Sequence, residues 1–229
     1  MASDKFYGSF YVRMGLVLIA LIFAGFIPFI KMRYDGGGSL NPLFLTHGIL
    51  TLGWFVLFTY QASLVSVGNV RRHMALGKAS LALTAAIVIT GVMMMQYAFD
   101  HGSNGGTPLT PEHFIFLPFI DIVMFIIFYS LAFKNRFEAD THKHYMLLTG
   151  ILIMDPAVAR IGMSLGFVPL ALLLHFGLLV LIVMHDRKKY GHVHKATKVG
   201  FVGVVTLYGS IILIGSTQAW AKLVHMVLG

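Results

Sequence analysis

Two decapeptides, THKHYMLLTG at 141–150 and GHVHKATKVG at 191–200, share one pattern: His-x-His, five residues, then a glycine opening an apolar run. They hold four of the chain's 11 histidines: His142 and His144, then His192 and His194. His73, in RRHMALGK, has a similar setting. Imidazole can ligate a metal or move a proton near neutral pH, so these five residues are candidate ligands for zinc or iron, with His185 and Asp186 as further donors. The chain has no cysteine, which removes disulfides, thiolate metal sites, iron–sulfur clusters and covalently attached haem from consideration.

A second set of polar residues lies within apolar runs. It comprises His47, His113, His175, Asp121, and the pair Asp155 and Arg160 of the DPAVAR string at 155–160. Ionisable groups inside a bilayer are costly, face the interior of a bundle and mark functional sites by default. His47, Trp54 and Gln61 recur at seven-residue spacing, close to two helical turns, so one helix face presents imidazole, indole and carboxamide. That face is expected to line a cofactor or substrate pocket.

The elements that must position these residues are membrane helices. Of the 229 residues 57% are hydrophobic and only 11% charged, with a mean hydropathy of +0.81. That composition is an integral membrane protein's. Apolar runs long enough to span a hydrocarbon core of about 30 Å occur at about 10–30, 43–67, 77–98, 114–133, 145–166, 168–184 and 199–221. These predict an all-α bundle of seven transmembrane helices forming a single domain over 1–229. Asp155-Pro156 predicts a kink in the fifth.

Basic residues set the expected orientation. Lys5, Arg13, Arg71, Arg72, Lys78, Lys134, Arg136, Lys143, Arg187, Lys188, Lys189, Lys195 and Lys198 fall at the start of the chain or after helices two, four and six; the other side has only Lys31, Arg33, Arg160 and Lys222. The N-terminus is therefore expected in the cytoplasm, the C-terminus outside, and the protein in a bacterial inner membrane. The net charge of +8 reads as an orientation and anionic-lipid signal rather than a nucleic-acid one.

One histidine from each of four consecutive helices, His47, His73, His113 and His142 or His144, resembles the pattern of the cytochromes b561, while the strings HGILTLGW, RRHMALGK and HKHYMLL resemble those of uncharacterised bacterial multi-pass inner-membrane proteins. The b561 resemblance covers about residues 43–166. It implies haem b held by His47 with His113 on the outer side and by His73 with His144 on the inner side. His175 is an alternative partner for His47, and Asp121 and Arg160 would meet propionates or a quinol. Electrons would then pass through the membrane to a quinol or a redox partner protein. Two readings stand beside it. One is a hydroxylase-like enzyme with a His-ligated metal at the cytoplasmic face. The other is a non-redox transporter, receptor-like protein or assembly factor in which Asp121, Asp155, Arg160 and His175 form a proton or solute path.

Overall fold

The computed structural model describes residues 2–36 and 41–229, with side chains from Phe10 onward except Arg33. Lys5 and Arg33, counted above for orientation, therefore have side chains outside the described set. The described residues form helices and no strand. Six helices are long and apolar enough to cross a membrane, and a seventh span is made if one bent pair counts as a unit.

Helix α1 runs Ala2–Asp35, α2 Pro42–Ser66 and α3 Val70–Asp100. Asn41 starts α2 by accepting the Leu43 N–H, with Pro42 in the first turn where its missing donor costs nothing. Asn69 likewise accepts the Arg72 N–H and starts α3 earlier than the apolar run alone indicated. His73 consequently lies inside α3, not in the preceding loop. The next span combines α4, Pro111–Phe114, with α5, Phe116–Lys134.

The span expected at 145–166 is two helices, α6 at Ala139–Leu152 and α7 at Asp155–Ser164, meeting at 41°. Pro156 explains the break: it cannot donate to the preceding turn, and its ring crowds it. Because α6 begins at Ala139, His142 and His144 occupy its first turns, again not a loop. Helix α8, Leu170–Tyr190, stops at Gly191, whose φ of 75° is left-handed and suits glycine. His194 then caps α9, Lys195–Ser210, by accepting the Ala196 N–H through its ring.

The last span ends sooner than the expected residue 221. After α9 a π-helical turn, Ile211–Gly215, leads through a bend into α10, Gln218–Leu228. Thr217 starts α10 by accepting the Trp220 N–H, which redirects the chain. Trp220 Nε1 donates to the Glu112 carbonyl at 2.9 Å and Gln96 to the Leu228 carbonyl at 3.1 Å, so α10 is fastened to the end of α3 and the start of α4.

Helix α1 packs on α2 and α7, α2 on α3, α5 on α6, and α6 on α9. Leu147, Leu148, Ile151 and Leu152 of α6 are fully buried, making α6 the centre of the core. At the α1–α7 crossing a Cβ on Gly25 would run into the backbone of Ala157, so the two helices touch only because residue 25 has no side chain. The end of the bundle holding Tyr11, the starts of α3, α6 and α9 and the end of α8 is called the basic end below, after its Lys and Arg; the other is the far end.

Candidate functional site

The basic-end cluster is built on Asp186, fully buried near the end of α8. Its Oδ1 faces His144 Nε2 at 2.7 Å, and its Oδ2 accepts the Thr197 hydroxyl at 2.6 Å and the His194 N–H at 3.0 Å. One carboxylate thus ties α6, α8 and the start of α9. His144 Nδ1 faces the Asp140 carbonyl at 2.5 Å and the Tyr11 hydroxyl at 3.2 Å, which brings in α1. The His194 ring stacks on His144 with centroids 4.4 Å apart, and Phe10 stacks on His185 at 3.9 Å.

Around this buried core lies a charged fringe. Asp140 contacts Lys143 and accepts from Lys189 at 2.8 Å, and Lys195 reaches Glu138 at 3.3 Å. Bonds from Lys195 and Thr141 hold the Glu138 carboxyl below the usual carboxylate range. Burial, helped by the neighbouring His144, holds the His194 imidazole below its ordinary value.

The far-end cluster lies at the bend between α6 and α7. The break there lets the Ile151 carbonyl accept from His175 Nε2 at 3.0 Å as well as from the Met154 N–H at 3.2 Å. His175 Nδ1 sits 3.0 Å from both the Ala171 carbonyl and the Tyr208 hydroxyl, and that hydroxyl donates to Asp155 Oδ1 at 2.9 Å. Asp155, Tyr208 and His175 therefore form a continuous chain: carboxylate, phenol, imidazole. The single phenolic proton can serve either neighbour.

Asp121 and Arg160 flank this chain. Arg160 donates to the Pro156 carbonyl at 2.6 Å and lies 4.6 Å from the rings of Phe26 and Phe29. Among the described residues, Asp121 Oδ1 and Arg160 Nε are buried without a hydrogen-bond partner.

The candidate residues divide between these clusters and four other places. Asp121, Asp155, Arg160 and His175 share the far end, and His144 and His194 share the basic end. His73 meets neither; its ring lies 6.2 Å from that of His142, whose Nδ1 faces the Ala132 carbonyl at 2.8 Å. His192 is exposed, with its ring 6.2 Å from that of Tyr190. Among the described residues, no group of three His, Asp or Glu side chains is arranged to hold a metal ion.

The helix-two stripe points inward, but its members serve different partners. His47 bonds Thr90 on α3 at 2.9 Å, Trp54 is buried against Phe58 and Phe125, and Gln61 donates to the His73 carbonyl at 3.1 Å. Beside Trp54 and Gln61 lies a cavity of about 20 Å³, room for one water. His113, at the mouth of α4, bonds Thr110 at 2.8 Å. Both ring nitrogens of His175 already face backbone carbonyls, so axial ligation by this residue would require those contacts to break.

Three participants had no sequence signal of their own: Tyr11, Thr197 and Tyr208. Tyr11 and Tyr208 are ordinary residues of apolar runs and Thr197 is one of the basic stretch before α9's apolar run, and only the packing of α1 and α9 against α6, α7 and α8 brings their hydroxyls to buried ionisable groups. Comparison with protein-family models, curated proteins and solved structures found no match.

Proposed function

We propose that the protein is a non-redox membrane transporter that carries protons along a path on α6, α7, α8 and α9. The observation behind this reading is that α6–α7, α8 and α9 carry a buried polar chain at each end, joined by Asp121 of α5 at one end and Tyr11 of α1 at the other. Asp155, Tyr208 and His175, with Asp121 and Arg160, stand at the far end; Asp186, His144 and Tyr11 stand at the basic end. Between them Leu147, Leu148, Ile151, Leu179 and Ile182 form a fully buried apolar layer. A proton path with a closed middle matches a gated conductor, and the α6–α7 break is the natural hinge.

In this reading the protein lies in a bacterial inner membrane with its basic end in the cytoplasm, as the distribution of Lys and Arg favours. A C-terminal reporter active only outside the cytoplasm tests that orientation. The haem b and His-metal readings rank below, because His175 and His144 spend their ring nitrogens on protein partners.

Reconstitution into liposomes with an entrapped pH-sensitive dye tests the function. Under an imposed potassium diffusion potential, wild-type vesicles should change internal pH faster than protein-free ones, and Asp155→Asn and Asp186→Asn should return the rate to the protein-free value. A wild-type rate equal to that of empty vesicles defeats the proposal; a Soret band in the same preparation would move the assignment to haem.

A further inference from the structure

We infer that the cleft between the α4–α5 junction and the π-helical turn binds a neutral lipid, a membrane-dissolved molecule with an uncharged carbonyl or hydroxyl head. The cleft has a volume of about 360 Å³ and is lined by Leu109, His113, Phe116, Leu117, Ile211 and Gly215, among others. That falls within the roughly 300–1,000 Å³ of small-molecule sites. Its floor is firm, since a Cβ on Gly215 would come within 2.6 Å of the Phe116 ring. Its far wall is the π turn, a rare backbone form that recurs at functional sites.

Two polar side chains line the cleft, and since the Ser216 hydroxyl already donates to the Ile212 carbonyl, His113 gives it its chemistry. His113 Nε2 is buried and has no hydrogen-bond partner, while Nδ1 of the same ring is held by the Thr110 hydroxyl at 2.8 Å. That hydroxyl can donate or accept, so Nε2 presents an N–H in one arrangement and a lone pair in the other. An N–H fits a carbonyl head and a lone pair fits a hydroxyl head. The lining contains no Lys, Arg, Asp or Glu, so a phosphate or ammonium head would enter without a counter-charge. The apolar walls take the body of the lipid. This site shares no residue with the proton path and stands or falls separately from it.

Photo-crosslinking in nanodiscs tests the assignment, using a diazirine-bearing diacylglycerol and a diazirine-bearing phosphatidylcholine as probes. The diacylglycerol should label residues 109–117 and 211–216 about tenfold over the remaining lipid-facing surface, the factor one neutral hydrogen bond contributes. The phosphatidylcholine should label that surface evenly. His113→Ala should abolish the enrichment. So should Ile212→Phe, which crowds the mouth of the cleft at a position 70% exposed, where the fold is undisturbed. Equal labelling by both probes, or enrichment that survives both substitutions, overturns the inference.

Discussion

At the residue scale, two of the buried carboxylates, Asp186 and Asp155, are held differently. Asp186 faces the His144 ring, the Thr197 hydroxyl and the His194 N–H, so its charge is compensated and its position over-determined. His144→Phe should therefore cost about 3 kcal/mol of stability, because it strands a buried charge, whereas Asp186→Asn keeps the shape and should cost about 1. A denaturant titration in detergent compares them, and equal losses would show that the pair is not charge-coupled. For Asp155 a link is the tyrosine hydroxyl. Tyr208→Phe should cost about 1 kcal/mol of stability while slowing proton flux in liposomes severalfold; unchanged flux would take the phenol out of the path.

At the scale of elements, close contact between helices depends on small residues and on one break. Gly25 lies against the Ala157 backbone, and a backbone cannot step aside as a side chain can. Gly25→Val should destabilise the α1–α7 crossing by about 1–3 kcal/mol. Gly48→Ala, where a Cβ would meet nothing within 4 Å, is the matched control and should be neutral or slightly stabilising. Thermal aggregation midpoints in one detergent check both. The α6–α7 break matters for another reason: by interrupting the helical ladder at Ile151 it leaves a carbonyl able to take the His175 imidazole. The bend and the far-end cluster are one feature.

At the scale of the molecule, acid should loosen the basic end. His194, in the turn joining α8 to α9, has its imidazole held below the ordinary value by burial first and by His144 next. A depressed histidine is neutral when folded, so the unfolded chain takes up protons first as pH falls. Stability should be level above the unfolded value of about 6.5 and decline as pH drops through it toward the lower folded value. Partial exposure of this ring keeps the effect modest. Unfolding midpoints from pH 8 to pH 5 (about 6.5 being the reference) measure it, and His194→Gln should flatten the slope in that window; an unaltered slope would assign the acid sensitivity elsewhere.

Composition and its runs determined that the chain is helical, with segments long and apolar enough to cross a membrane, because continuous apolar runs with few charges have no other stable form in a bilayer. It also marked Asp121, Asp155, Arg160 and His175 as residues that must turn inward, since leaving them in hydrocarbon is costly wherever the neighbours stand. The kink at Asp155-Pro156 was equally legible, proline being a local rule. Helix limits were not: Asn69 starts α3 four residues before His73, and Thr217 bends the chain away from the last span, because capping by short polar side chains overrides hydropathy near the interface. Nor was the grouping of the histidines legible. His-x-His motifs state which residues are near in sequence, whereas the partners of His144 are Asp186, His194 and Tyr11, from three other parts of the chain. Only the packing of α1, α6, α8 and α9 put those groups within hydrogen-bond reach, since side-chain contact depends on helix rotation and depth, and neither is written in local spacing.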